Sequence, residues 1–151
     1  MIQLEGVNGN LIFINDAESI KVEASKENLR SSKIEAGQHN KLLKEYINLI
    51  TSYSKEKNFI KSEQQKAIQQ QDEIAVLDYR LDLEAIDKEA NEASIDFIKE
   101  NTHSIVGMMA LSDAMSSKSI PLNKMKSLYD DYKGEVKDTP LGKKLGQNIA
   151  K

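Results

Sequence analysis

Between Gly37 and Gly107 the chain contains neither glycine nor proline. So long a stretch without a residue that breaks a helix constrains the fold more than any other feature. Within it, Leu42, Tyr46, Leu49, Tyr53 and Ile60 mark one helical face. Val76, Tyr79, Leu83, Ile86, Ala90, Ala93 and Phe97 then recur at steps of three and four without a miss. One helix of about 60 residues would be roughly 90 Å long, against about 40 Å for a compact domain of this size. The chain is therefore expected to fold back as an antiparallel helical hairpin over residues 38–101. The apolar pattern is weakest in "KSEQQKAIQQQDE", residues 61–73, which is where the bend is expected. Asp72 and Glu73 suit the positive start of the second helix. A straight dimeric coiled coil through the same tract is the alternative.

The residues before the hairpin read as strands. "IQLE" alternates apolar and polar, Asn8-Gly9 is a favoured tight-turn pair, and "LIFI" is a short apolar run. "SIKVEA" alternates through Ile20, Val22 and Ala24, and Asn15 with Asp16 would turn the second hairpin. These features predict an antiparallel meander of about three strands in residues 1–36, the strand-rich part of a sheet that the chain enters late. "SSKIEAG" is a further candidate strand, ended by Gly37. Short strands leave two sheet edges that need covering.

After the hairpin, "FIKENTHSIVGMMAL" changes from charged to apolar. Asn101 is expected to close one helix and Ser104 to cap the next. In that next helix Ile105, Val106, Met108, Met109, Leu111 and Met115 occupy most faces, as in a buried helix. Pro121 suits a helix start, with Leu122, Met125, Leu128 and Tyr132 inward and Gly134 as the stop. Thr139 and Pro140 would open a last helix containing Gly142 and Gly146. Short helices thus fill residues 104–151. The fold class expected is α+β, mainly helical, in a single module spanning 1–151, with the sheet packed on the hairpin.

Composition excludes several chemistries. The absence of cysteine removes thiol catalysis, disulfides and thiolate metal sites. No apolar run approaches the length of a membrane span, and the first residues lack the pattern of a secretory signal. Residues 72–100 carry ten acidic side chains against Arg80, Lys88 and Lys99, whereas residues 21–71 and 118–151 are each net +4. Such alternation fits elements packed side by side and not a nucleic-acid surface.

Nor does any constellation carry chemistry. His39 and His103 lack a second histidine at helical spacing and are read as loop or helix-end residues. Asp78 with Asp82, and Asp96 with Glu100, lie one turn apart as on any solvated helix face, and Glu84 with Lys88 is an ordinary supporting pair. Met108, Met109, Met115 and Met125 are read as core filling, with an adaptable groove as the alternative. Tyr46, Tyr53, Tyr79, Tyr129 and Tyr132 are read as helix-packing residues. Gly6 and Gly9, like Gly142 and Gly146, do not form a phosphate loop. No catalytic, cofactor-binding or metal-ligating residue is assigned.

"FIKENTHSIVGMMAL" and "PLNKMKSLYDDYKGEVKDTPLGKKLGQNI" together resemble one bacterial family. It is the poorly characterised domain preceding the thioredoxin-like domain (alkyl hydroperoxide reductase/thiol-specific antioxidant type) of envelope thiol–disulfide oxidoreductases. Phe97, Ile98, Asn101 and Ser104 match its Phe-Ile-x-x-Asn-Pro-x-Ser phrase, with Thr102 in place of the usual proline. Leu128, Thr139, Gly142, Lys143 and Leu145 fit its ending, and "SSKIEAGQHNKLLKEY" is similar to the segment that introduces its helices.

The resemblance covers about residues 10–150. It implies a non-catalytic N-terminal module of a periplasmic or envelope oxidoreductase. Such a module would position the thioredoxin-like domain of the same parent, which this chain lacks, or mediate homodimerisation or client binding. Without the resemblance, the reading is a stand-alone cytoplasmic helical adaptor dimerising through the hairpin.

Overall fold

The computed structural model describes residues 7–15, 19–29, 32–35 and 37–150. The chain divides into two compact units, Met1–Glu45 and Tyr46–Lys151. The architecture is α+β and mainly helical, as expected.

In the first unit, β1 (Lys21–Glu23) and β2 (Lys33–Glu35) form a two-stranded antiparallel sheet among the described residues. Val22 pairs with Ile34, flanked by Lys21 opposite Glu35 and Glu23 opposite Lys33. Each outer pair sets opposite charges across the strands, a favourable cross-strand arrangement. The "SIKVEA" and "SSKIEAG" strands are therefore present, paired with each other. "IQLE" lies outside the described residues.

"LIFI" is not a strand: of its four residues only Leu11 makes a bridge. The reason is visible at Ile14. Its N–H donates to Asn40 Oδ1 at 2.7 Å and its carbonyl accepts from Asn40 Nδ2 at 2.8 Å. A buried asparagine on the following helix thus takes the two backbone groups a ladder would have used. Gly9 does turn in the left-handed region (φ 88°), but the neighbouring Asn8 makes a parallel bridge to Asn28.

The first helix, α1 (Gln38–Gln69), starts in this unit and continues into the second, where α2 (Glu73–Glu100) follows. The bend falls inside the expected window. Asp72 N–H bonds to the Ala67 carbonyl and Gln71 N–H to that of Ile68, and Gln71 adopts a left-handed φ of 58°. This is a Schellman ending with glutamine where glycine is usual. The next residue, Asp72, immediately caps α2 by accepting from Ala75 N–H at 3.0 Å.

Three contacts show that the two helices run antiparallel from Tyr46 to the turn. Gln64 donates to the Val76 carbonyl at 3.4 Å, Lys57 pairs with Asp87, and the rings of Tyr46 and Phe97 lie 5.2 Å apart. The straight-helix alternative is thus not adopted. The hairpin seam is the stripe read from the sequence, with Ile86 and Ala67 buried and Tyr53, Ile60, Val76, Tyr79 and Leu83 half-buried.

The core of this unit surrounds α3 (Ile105–Ser117). Val106, Met108 and Leu111 are inaccessible, as is Ile98 at the end of α2. The break between the two helices is closed by the residues expected to do so. Asn101 Nδ2 donates to the Phe97 carbonyl at 2.8 Å, and Ser104 Oγ accepts from Val106 N–H at 3.1 Å.

Beyond α3 come α4 (Leu122–Asp130), α5 (Gly134–Lys137) and α6 (Pro140–Ile149), which bury Met125, Leu128, Val136, Leu145 and Ile149. Gly134 is not a stop: α4 ends earlier and Gly134 opens the single turn of α5. Thr139 caps α6, accepting from Gly142 N–H at 3.1 Å.

Candidate functional site

The titratable candidates do not converge. His39 is half-buried in the first turn of α1 and His103 is exposed between α2 and α3. No group of three or more His, Asp or Glu side chains among the described residues is arranged to hold a metal ion. Asp78 and Asp82 sit on solvated helix surface, Asp96 binds Lys99 one turn along at 3.5 Å, and Lys88 pairs with Glu92 at 4.0 Å and not with the expected Glu84.

The tyrosines serve packing, with hydroxyls in contrasting settings. Tyr46 OH donates to Asp113 Oδ2 on α3 at 2.8 Å, tying the hairpin to the bundle core. Tyr129 OH donates to the Gly142 carbonyl at 3.1 Å, and Lys137 Nζ lies 5.2 Å from the centre of the same ring. The Tyr132 hydroxyl is buried without a hydrogen-bond partner among the described residues. Burial, then the Asp113 bond and charge, push the Tyr46 hydroxyl well above the usual phenol range, and burial alone does so for Tyr132.

These settings separate two otherwise similar substitutions. Tyr46→Phe removes a made bond and leaves Asp113 without that donor, so a loss of about 1 kcal/mol is expected in urea unfolding. Tyr132→Phe removes only an unmatched hydroxyl and is expected to be neutral or stabilising. For both phenols the folded chain holds its proton to higher pH than the unfolded chain. Their contribution is therefore complete below about pH 10 and falls as pH rises beyond it. Urea titrations of the parent and the double Phe variant at pH 8 and pH 11 check this. The parent's extra loss at high pH should be smaller in the variant.

Met108 and Met125 are buried, and Met109 and Met115 are half-buried on the same helix bundle, so the core reading of these residues holds. Most of the exposed large apolar side chains lie on the hairpin, with Ile12 and Leu122 exposed outside it. Phe59 on α1 is 65% exposed; on α2, Ile74 is 76%, Leu77 46% and Leu81 52% exposed. At about 100° per residue, Ile74, Leu77 and Leu81 fall on one line of α2, roughly opposite Val76, Tyr79 and Leu83 of the seam.

So the first two turns of α2 are apolar on two sides, only one of which meets α1. The periodicity that marks the seam does not include this second stripe. Its signal was present in the steps of three and four from Ile74 to Leu77 to Leu81. Carboxylates flank it: Glu73, Asp78, Asp82 and Glu84, with Arg80 as the one cation between Asp72 and Asp87.

No helix among the described residues is long and apolar enough to cross a membrane. No protein-family model, curated protein or solved structure matches the chain.

Proposed function

We propose that this chain is a non-catalytic interaction module whose helical hairpin engages another protein surface. The observation that carries this reading is the exposed outer stripe of α2, Ile74, Leu77 and Leu81, with Phe59 exposed separately on α1. A two-helix hairpin already has its own seam, so a second apolar face stabilises nothing within it. An exposed apolar stripe rimmed by charged side chains is a shape another helix can cover.

The resemblance of residues 97–104 and 128–145 to modules preceding thioredoxin-like domains supplies a context. The surface engaged would belong to a thioredoxin-like domain of the same parent, or to that domain's client proteins, in the cell envelope. Reconstitution tests this: a thioredoxin-like oxidoreductase domain of that type is assayed with and without the chain. The expected result is a change in turnover or in substrate range that Phe59→Ser with Leu81→Gln abolishes. Identical kinetics with and without the chain would count against the reading.

The second reading, dimerisation through the hairpin, draws on the same exposed residues. It requires a concentration-dependent doubling of mass in sedimentation equilibrium.

A further inference from the structure

We infer that the outer face of the first two turns of α2 is a docking site for a basic amphipathic helix of another protein. This inference deepens the interaction reading above and rests on it.

The argument begins with the geometry of α2. Ile74, Leu77 and Leu81 form a stripe about two turns long on the side away from the seam. About five turns further along the same side stands Ile95, and there it is buried, in a helix that packs against α3. The same side of α2 thus has an apolar residue that is covered toward its C-terminus and apolar residues that are open toward its N-terminus. The pattern at the open end, steps of three and four, is one that another helix fits.

Charge decides which helix. Glu73 and Glu84, with Arg80 beside them, border the stripe on one side and Asp78 and Asp82 on the other, four carboxylates against one cation. Among the described residues none of the four has a cation within ion-pair distance, whereas Asp87 is paired with Lys57 and Glu92 with Lys88. A second copy of α2 laid antiparallel across the stripe would set Asp78 and Asp82 against their own counterparts, and the single Arg80 on the other side leaves the two stripes net acidic against each other. An acidic or like-charged partner is penalised by that juxtaposition, and a helix bearing Lys or Arg beside its apolar stripe is favoured. The occupant is therefore a basic amphipathic helix and not a second copy of this chain.

The test uses the intact chain and two synthetic peptides of about 18 residues, five helical turns. Both have Leu at steps of three and four; the remaining positions are Ala and Lys in one and Ala and Glu in the other. Fluorescence anisotropy is expected to show the Lys peptide binding at least about tenfold more tightly at low salt, the gap closing as salt screens the flanking charges. Leu77→Gln with Leu81→Gln should weaken that binding by about tenfold or more, a transfer effect of two exposed leucines, with helical content unchanged. Phe59→Ser should leave it intact.

Equal affinity for the two peptides would overturn the inference. So would binding lost in Phe59→Ser but kept in the α2 variant, which would move the site to α1 and leave the interaction reading standing. A dimer of the free chain that the α2 variant disperses would make a second copy the occupant, again overturning it. Binding of neither peptide overturns the α2 site, while the interaction reading falls only if the reconstitution with a thioredoxin-like domain is also silent.

Discussion

Gly107→Ala is expected to be among the most damaging single-methyl changes in this protein, costing about 3 kcal/mol, the upper end for overpacking a core. A Cβ at position 107 would overlap the carbonyl oxygen of Asn101, lie 2.9 Å from its carbonyl carbon and 3.0 Å from Tyr132 OH. The Asn101 carbonyl cannot retreat freely. It accepts from Ser104 N–H at 3.0 Å, and the Asn101 side chain is bonded back to Phe97. The new methyl would therefore have to break the cap between α2 and α3 or push α3 out of the core. Gly142→Ala is expected to behave alike, because its Cβ would overlap the Val136 carbonyl oxygen and lie 2.8 Å from Lys137 Cα.

Gly134→Ala supplies the contrast. Nothing lies within 4 Å of a Cβ there, and the residue is in α5. Alanine should be neutral or stabilise by up to about 1 kcal/mol through helix propensity. Urea unfolding of the three variants checks the order. Equal stability of Gly107→Ala and Gly134→Ala would mean that α3 does not approach the Asn101 backbone as described.

Leu111→Ala is the second large effect. The side chain is inaccessible at the middle of α3, among other inaccessible residues of the core, Ile98, Val106 and Met108. Its removal costs the transfer energy of the lost methyl groups plus the cavity left behind, about 3 kcal/mol together, lowering Tm by about 10 °C in a chain of this length. Leu81→Ala is the matched control at an exposed position. It should change stability by less than about 0.5 kcal/mol, since Leu81 is half exposed and faces away from the seam. The same chemical truncation thus separates leucines that hold the fold from leucines available to a partner. A loss at Leu81 as large as at Leu111 would place the α2 outer stripe inside a folded core.

Much of this architecture is legible in the residues because one strong signal, the heptad-like stripe from Val76 to Phe97, coincides with the seam that the hairpin uses. The caps at Ser104 and Thr139 are equally legible, since a short oxygen-bearing side chain at a helix start has one dominant role, and Asp72, read only as charge at a helix start, turns out to cap α2 as well. What is not legible has physical reasons as well. Gly134 reads as a stop because glycine is most at home after a helix, yet here it begins one. The turn at Gln71 uses a left-handed residue with no intrinsic preference for it, held by the two Schellman bonds. "LIFI" has strand propensity, but a single buried side chain, Asn40, claims the backbone of Ile14. The candidate binding face was hidden differently: Ile74, Leu77 and Leu81 interleave with the seam residues, and a helix apolar on both sides reads as simply apolar.

Amide hydrogen exchange tests the central claim, that the turn end of the hairpin is where this module meets a partner. Exchange is followed in the free chain and in the native assembly isolated from source cells. Helical turns with little burial open readily in the free chain, so residues around Phe59 and from Ile74 to Leu81 should exchange fast there. In the assembly they should slow, while the core around α3 is unchanged. Identical exchange in the two samples across residues 55–85, or slowing confined to α4 through α6, would contradict the account.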